Sequence, residues 1–352
     1  MPQSRGAIRL GIIGCGRGTE VHHLPALARI PEIRVVAIAD INAARLRRTA
    51  DRFGIAQRYD GYPKMLRDAD IDAVAVVTPT QSHAEIGLAA LHMGKHLFME
   101  KPLALNLEEC DQLIEAASRT ACKTMVGLNN RWHRLVVRAR DMVRSGALGK
   151  LKAIRSVYTH CHSAAGAPEW HRKRELGGGV LFNDGVHHFD LWRYLLDTEV
   201  TEVFAHSVST EHFEDDTCTI SARLGNGMVA SAVFSFSTSA NSELEIFGDA
   251  GRMLLSLYRF DGLEFFANTV YPGSLGSRLH AMTHTLQEIP GAFASIRNGG
   301  EFSATYEALW RHFADCIQKG AVPACTLEDG KKALQIAIAA LDSSQSRIPV
   351  EI

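Results

Sequence analysis

Short apolar runs alternate with amphipathic stretches through the first third of the chain. "IRLGIIG" (8–14), "IRVVAIAD" (33–40), "IDAVAVVTP" (71–79) and "HLFMEKP" (96–102) read as strands. Between them "EVHHLPALARI", "NAARLRRTADRFG" and "HAEIGLAALHMGK" repeat their apolar positions with the helical period, and Asn42 is placed to cap the second. "AVAVV" is apolar at consecutive positions, so both faces of that strand are buried, as in a parallel sheet covered by helices on each side. Residues 1–127 are therefore expected to form a doubly wound α/β domain.

After "GLNNRWHRLVVRARDMVRSGALG" the period shortens to two. Residues 150–161, 199–210, 217–237 and 243–257 alternate apolar and polar positions, with hairpin-like turns at "GNG" and "GDAG". Residues 128–352 are thus expected to be an α+β domain on a mainly antiparallel sheet. In it "SRLHAMTHTLQEI" reads as a short helix of an inserted segment. The closing helix, about 329–345, is amphipathic and is expected to pack back towards the first domain.

One further helix, over 180–196, follows the glycines of "GGGVLFNDGVHHFD". It places Asn183, His187, Asp190 and Tyr194 on one stripe and Phe182, Val186, Phe189, Trp192 and Leu196 on the other side. The apolar side would face the sheet and the polar stripe would face outward. Asp184 and His188 fall off the stripe and are expected to pair with each other.

Composition removes several classes of function. Lys and Arg number 38 against 39 Asp and Glu, a net charge of -1 that would gather neither nucleic acid nor an anionic membrane. No apolar run approaches the roughly 20 residues needed to cross a bilayer, and "MPQSRGAIRL" has no signal-type core, so the cytoplasm is expected. The 7 cysteines form no C-x-x-C pair and suit reduced thiols. His160 and His162 in "HCH" would share a strand face, but two imidazoles without a spaced partner make no metal site.

The chemistry concentrates at strand ends. "GIIGCGRGT" places Gly14, Gly16, Arg17 and Gly18 where a dinucleotide fold needs a tight turn and a close approach to pyrophosphate, with Thr19 at the third motif position loosening helix packing. Asp40 ends the second strand, where a carboxylate accepts from both ribose hydroxyls. This favours NAD, while Arg45, Arg47 and Arg48 keep NADP open. Thr78, Pro79 and His83 of "TPTQSH" and Glu100 and Lys101 of "EKP" should line the same crevice. Pro102 would direct Lys101, and Glu100 would tune its ammonium beside the nicotinamide.

These stretches, with "VVTPTQSH", "GKHLFMEKPLA", "GLNNRWH", "GGGVLFNDGVHHFD" and "TLEDGKKALQIAIAALDSSQS" in order and spacing, make the chain resemble the Gfo/Idh/MocA family of NAD(P)-dependent oxidoreductases over essentially its whole length. The resemblance implies a Rossmann domain and a second domain with a large open sheet used for substrate binding and for self-association as a homodimer or homotetramer. It implies substrates among sugars, cyclitols and related polyols, with Lys101 catalytic and His187 at the proton-transfer position opposite the nicotinamide. Asn183 stands where many members carry Asp, and Asn accepts no proton, so the acid-base load would fall on His187 helped by Lys101. Asn129, Arg131, Trp170, Arg172, Asn183 and Asp190 are candidates to grip sugar hydroxyls, the indole by stacking. An Asn there also resembles members that oxidise nucleotide sugars at carbon 3. Two rival readings keep the fold: a redox-neutral glycoside cleavage that returns the hydride, and a dinucleotide-binding regulator without turnover.

Overall fold

The computed structural model describes residues 6–162, 166–271, 274–297 and 300–352, apart from the side chains of 277–282, 284 and 294–297. Two units make up the chain: residues up to Asn129 with Phe302–Leu334, and Asn130–Glu301 with Gln335–Ile352.

Strands β1 (Ile8–Ile13), β2 (Ile33–Ala39), β3 (Gln57–Tyr59), β4 (Ala73–Val76), β5 (His96–Met99) and β6 (Thr124–Val126) build the sheet of the first unit. Their order is β3-β2-β1-β4-β5-β6, and every neighbouring pair is parallel. The winding reverses between β1 and β4, and ligands of such sheets bind at the carboxyl ends of the strands there. All four side chains of β4 are buried, which is why that strand shows no alternation. Helix Ala43–Phe53 begins where the Asn42 side chain accepts the Arg45 N–H at 2.9 Å and stops at Gly54, whose φ of 67° is left-handed.

The helix expected over "EVHHLPALARI" is shorter and begins differently: Thr19–His23 is a π-helical turn and only Leu24–Leu27 is α-helical. Pro25 supplies the reason, since it has no N–H and its ring crowds the carbonyl four residues back, widening the turn before it. The segment 302–334 belongs to the first unit, not to the second as the change of period suggested. Trp310 and Phe313 pack on Phe98 with ring centroids 4.3 and 5.9 Å apart, and the N–H of Val126 in β6 donates to the Cys325 carbonyl at 2.9 Å.

Strands β7 (Leu151–Cys161), β8 (Val200–Val208), β9 (Thr217–Leu224), β10 (Val229–Ser235), β11 (Ser237–Gly248), β12 (Gly251–Ser256), β13 (Leu263–Ala267) and β14 (Val350–Glu351) form the sheet of the second unit in the order β13-β12-β11-β7-β10-β9-β8-β14. All pairs are antiparallel except β7 with β10. As expected, "GNG" joins β9 to β10 and "GDAG" joins β11 to β12. One sheet face is apolar and covered: Phe189 of helix Val186–Leu196 meets Phe234 at 5.6 Å, and the Trp192 indole donates to Ser156 Oγ at 2.7 Å. The other face carries exposed Thr219, Ser221, Ser231 and Val233. Along the edge of β8, the N–H groups of Ala205 and Ser207 donate to the hydroxyls of Ser343 and Ser344 in helix Leu327–Ser346. Hydroxyls there satisfy an edge that would otherwise invite another strand.

The inserted helix is longer than its pattern suggested, Leu275–Arg297 with Pro290 inside it. Ion pairs of Glu288 with Arg134 and Arg138, and a 2.8 Å hydrogen bond from Thr285 Oγ1 to Asp261, anchor it.

Gly14 is the glycine the first unit cannot replace: its φ is 99° and an added Cβ would lie 2.2 Å from the Val77 carbonyl oxygen. Gly14→Ala should cost about 2–4 kcal/mol in urea unfolding. Gly18→Ala, whose Cβ would sit 3.6 Å from Val77, should change stability by less than about 0.5 kcal/mol.

Candidate functional site

Gly14 turns the chain at the end of β1, its N–H donating to the Ala39 carbonyl at 2.8 Å. Next to it the Cys15 N–H donates to Asp40 Oδ2 at 2.8 Å, and the Asn42 N–H donates to Oδ1 at 2.7 Å. These bonds fix the carboxylate against the glycine turn. A carboxylate offers about four acceptor positions, so two backbone donors leave room for ribose hydroxyls. Gly16 and Gly18 are half-exposed and Arg17 is exposed, and a Cβ on Gly16 would meet no described atom. The space above the turn is open to a ligand, so these residues fit a dinucleotide. Thr19 does not loosen the packing as expected: it is buried, and its hydroxyl donates to the Gly14 carbonyl at 2.6 Å, closing the turn.

Half-exposed Thr78 and Pro79 follow β4, and Glu100 and Lys101 follow β5. His83 was expected in the crevice beside them, and the structure corrects that. The ring is buried, with Nδ1 2.8 Å from the Pro102 carbonyl and Nε2 2.9 Å from the Thr78 carbonyl. It fastens the two strand-end loops together from behind. Glu100 accepts the Lys101 N–H at 3.0 Å through Oε2, and His23 Nε2 lies 3.0 Å from Oε1. Burial pushes the Glu100 carboxyl up, but His23 and the Lys101 ammonium outweigh burial and hold it below the ordinary range.

In the second unit the three glycines open the helix that carries His187. Gly177 and Gly179 are left-handed, and a Cβ on Gly178 would lie 2.5 Å from the Trp170 carbonyl oxygen. The glycines thus let helix Glu169–Arg172, with half-buried Trp170 and Arg172, pack backbone to backbone on this segment. Arg174 pairs with Asp215 through Nε and Nη2, and Ser207 Oγ donates to Asp215 at 2.7 Å.

The outward polar stripe is corrected as well. Leu181–Gly185 is a π-helical turn, and α-helix begins only at Val186. The extra residue in that turn shifts the faces, so from Gly177 to Arg193 only Asp184 and His187 are not buried. Asn183 is buried, and its backbone and side-chain N–H groups both donate to the Gly179 carbonyl at 3.1 Å. Asp190 is buried in a two-pronged ion pair with Arg131, and Tyr194 takes the guanidinium of Arg140 3.6 Å above its ring. Arg131, Asp190 and Asn129 are therefore interior, not a surface aimed at hydroxyls.

Sequence reasoning set Asp184 aside and missed two phenols that feel its charge. Burial first, and then the Asp184 charge, push the hydroxyls of Tyr158 and Tyr258 up. The expected Asp184–His188 pair is not formed. His188 is buried between Tyr158 and Phe234, and neither ring nitrogen meets a hydrogen-bonding partner among the described residues. His160, His162 and His171 stand ring to ring at 4.5 and 4.8 Å, with His171 stacked on Phe236. Among the described residues no group of three or more His, Cys, Asp or Glu could hold a metal.

A glycine turn beside a fixed carboxylate at the switch point of a parallel sheet defines a dinucleotide-binding protein. Residues 8–128 match the model "Oxidoreductase family, NAD-binding Rossmann fold" and residues 136–254 match the "GFO/IDH/MocA C-terminal domain". The chain belongs to the GFO/IDH/MocA family of oxidoreductases, and its cofactor is NAD. It is similar to the myo-inositol 2-dehydrogenase of Thermotoga maritima, 28% identical over 98% of both chains. It is also similar to the scyllo-inositol 2-dehydrogenase (NAD(+)) of Bacillus subtilis, 27% identical over 98% of this chain and 96% of that one. The crystal structure of a probable dehydrogenase from Thermotoga maritima superposes with a TM-score of 0.78 at 26% identity, covering 98% of both chains.

Burial pushes the His188 imidazole down to about 3, so the folded protein leaves uncharged a group that the unfolded chain protonates below its ordinary value near 6.5. Stability should therefore be full above about pH 6.5 and fall as pH drops towards 3, by up to ~1.4 kcal/mol per pH unit from this group. His188→Leu should flatten that slope in urea titrations between pH 7 and about 4.

Proposed function

We propose that this chain is an NAD-dependent dehydrogenase that oxidises a secondary alcohol of a cyclitol or sugar to the ketone, and runs the reverse reduction. The observation that carries the reading is the end-to-end similarity to two inositol 2-dehydrogenases. When bound, NAD supplies the hydride acceptor. Asp40 and the turn from Gly14 to Gly18 hold the adenosine and pyrophosphate. A carbinol gives up hydride only as its hydroxyl proton leaves, and His187 is the base that takes it, half-exposed where its neighbours are buried. Lys101 meets the negative charge developing on the oxygen. Asp184 is the carboxylate that reaches solvent within one helical turn of His187, and with Trp170 and Arg172 it contacts the polyol.

Assembly follows from the uncovered sheet face. Val229 and Val233 are 51% and 41% exposed in the middle of it, beside Thr219 and Ser231. Two copies pack through this face, and a polyol bound in each unit needs no membrane: no described helix is long and apolar enough to cross one. The free cysteines suit a reducing compartment such as the cytoplasm.

Incubation with NAD or NADP and a panel of inositols, hexoses and sugar nucleotides should give net NADH with a cyclitol or sugar and NAD. Glycoside consumption without net NADH, or NAD binding without any turnover, would contradict this reading. Lys101→Ala should lower kcat/KM at least about 100-fold while NAD affinity changes only a few-fold. Val233→Arg should reduce the mass seen by light scattering to that of one chain; an unchanged oligomer would place the interface elsewhere.

A further inference from the structure

Beneath Lys101 lies a buried chain of contacts that the mechanism above does not use. His23 ends the π-helical turn Thr19–His23 and is 1% exposed. Its Nδ1 receives the Trp310 indole N–H at 3.2 Å, and its Nε2 stands 3.0 Å from Glu100 Oε1. Phe98, Tyr306 and Trp310 close around the imidazole edge to face, with ring centroids 5.6, 5.1 and 5.7 Å away. The second oxygen of Glu100 accepts the Lys101 N–H at 3.0 Å.

Donor and acceptor rules fix the protons along this chain. An indole N–H only donates, so Nδ1 of His23 must be the bare nitrogen. The single proton of a neutral imidazole is then on Nε2, facing the carboxylate. A proton on Nδ1 would instead point N–H against the indole N–H. Nε2 stands 3.0 Å from Oε1 without the geometry of a full hydrogen bond, so the neutral imidazole acts on the carboxylate through its N–H dipole. Behind Glu100 there is no slack, since a Cβ on Gly127 would lie 2.7 Å from Oε1.

We propose that His23 is a positioning residue, held by Trp310 in one neutral tautomer, that keeps Glu100 an anion fastened to the Lys101 backbone. This rests on the reading that Lys101 works on the reacting oxygen. The other titratable groups that act on Glu100 and His23 are Lys101 on the same turn, His22, Tyr306 and His83. His22 lies flat on Tyr306 at 5.0 Å and His83 is fastened to carbonyls, so neither replaces His23 at the carboxylate.

Nitrogen-15 NMR of histidine-labelled full-length protein, without substrate, tests the tautomer. His23 should show protonated Nε2 and bare Nδ1 at neutral pH, while Trp310→Phe should admit the other tautomer. A His23 that carries a proton on Nδ1 in the unaltered protein overturns the proposal. The kinetic arm compares His23→Leu with His23→Gln, whose amide can accept from the indole and donate to Glu100. In His23→Leu the acid limb of kcat should move up by at least about one pH unit, with KM for NAD little changed, because a buried carboxylate stripped of its donor takes up a proton sooner. His23→Gln should keep the limb near its original position. An unmoved limb in folded His23→Leu overturns the proposal. The NMR arm needs no turnover, so a chain that oxidises no polyol would end the functional reading while the tautomer result still decides this one.

Discussion

A carboxylate buried at the end of β5 organises the first unit. Glu100 draws together residues far apart in sequence: His23 from the turn after the glycines, the Lys101 N–H, Gly127 for its missing side chain, and Trp310 acting through His23. Placing an anion inside a protein costs several kcal/mol unless donors and countercharge meet it, and removing one partner of such a group costs about 3–5 kcal/mol. That demand explains why the helix carrying Trp310 belongs with the dinucleotide sheet even though the chain reaches it only after the whole second sheet. His83 fastens the turn that carries Lys101 from behind, so its direction is set by buried polar contacts on two sides.

The second unit leaves an imidazole half-exposed on an otherwise buried helix. Left-handed glycines, a π-helical turn and a close backbone approach to helix Glu169–Arg172 accompany a segment in which Asp184 and His187 stay partly exposed while Asn183, His188 and Asp190 go inside. The Arg131–Asp190 and Arg174–Asp215 pairs hold the flanks of this segment. The polar residues that look reactive in the sequence thus divide into those that are buried and those left partly exposed.

The residues that bear on a ligand through backbone shape were legible in the sequence. Gly14 sits at a tight turn, Asp40 ends an apolar strand, and "EKP" follows another, so the sheet and the cofactor could be read from local pattern and Lys101 placed at a strand end. What pattern could not convey was depth. A polar residue at helical spacing carries the same signal whether it faces water or a buried arginine, which is why Asp190 and Arg131 were expected outside. The π-helical turns hid for a related reason: one extra residue in a turn leaves every residue type unchanged and moves the whole stripe. Trp310 and the return of Phe302–Leu334 to the first unit were out of reach because an amphipathic helix states that one face is buried, not against what. His23 did leave a trace, as a polar residue on the apolar side of "EVHHLPALARI", where a buried partner is the natural explanation.

Difference infrared spectroscopy of carboxyl groups, comparing the unaltered protein with Glu100→Gln across pH, reads the ionisation of Glu100 directly. Carboxylate bands that persist at neutral pH and are lost only below the ordinary value of 4.5 would agree with the account. A protonated carboxylic acid band assigned to Glu100 at neutral pH would contradict it, because the turn under Lys101 would then lack the charge on which its arrangement rests.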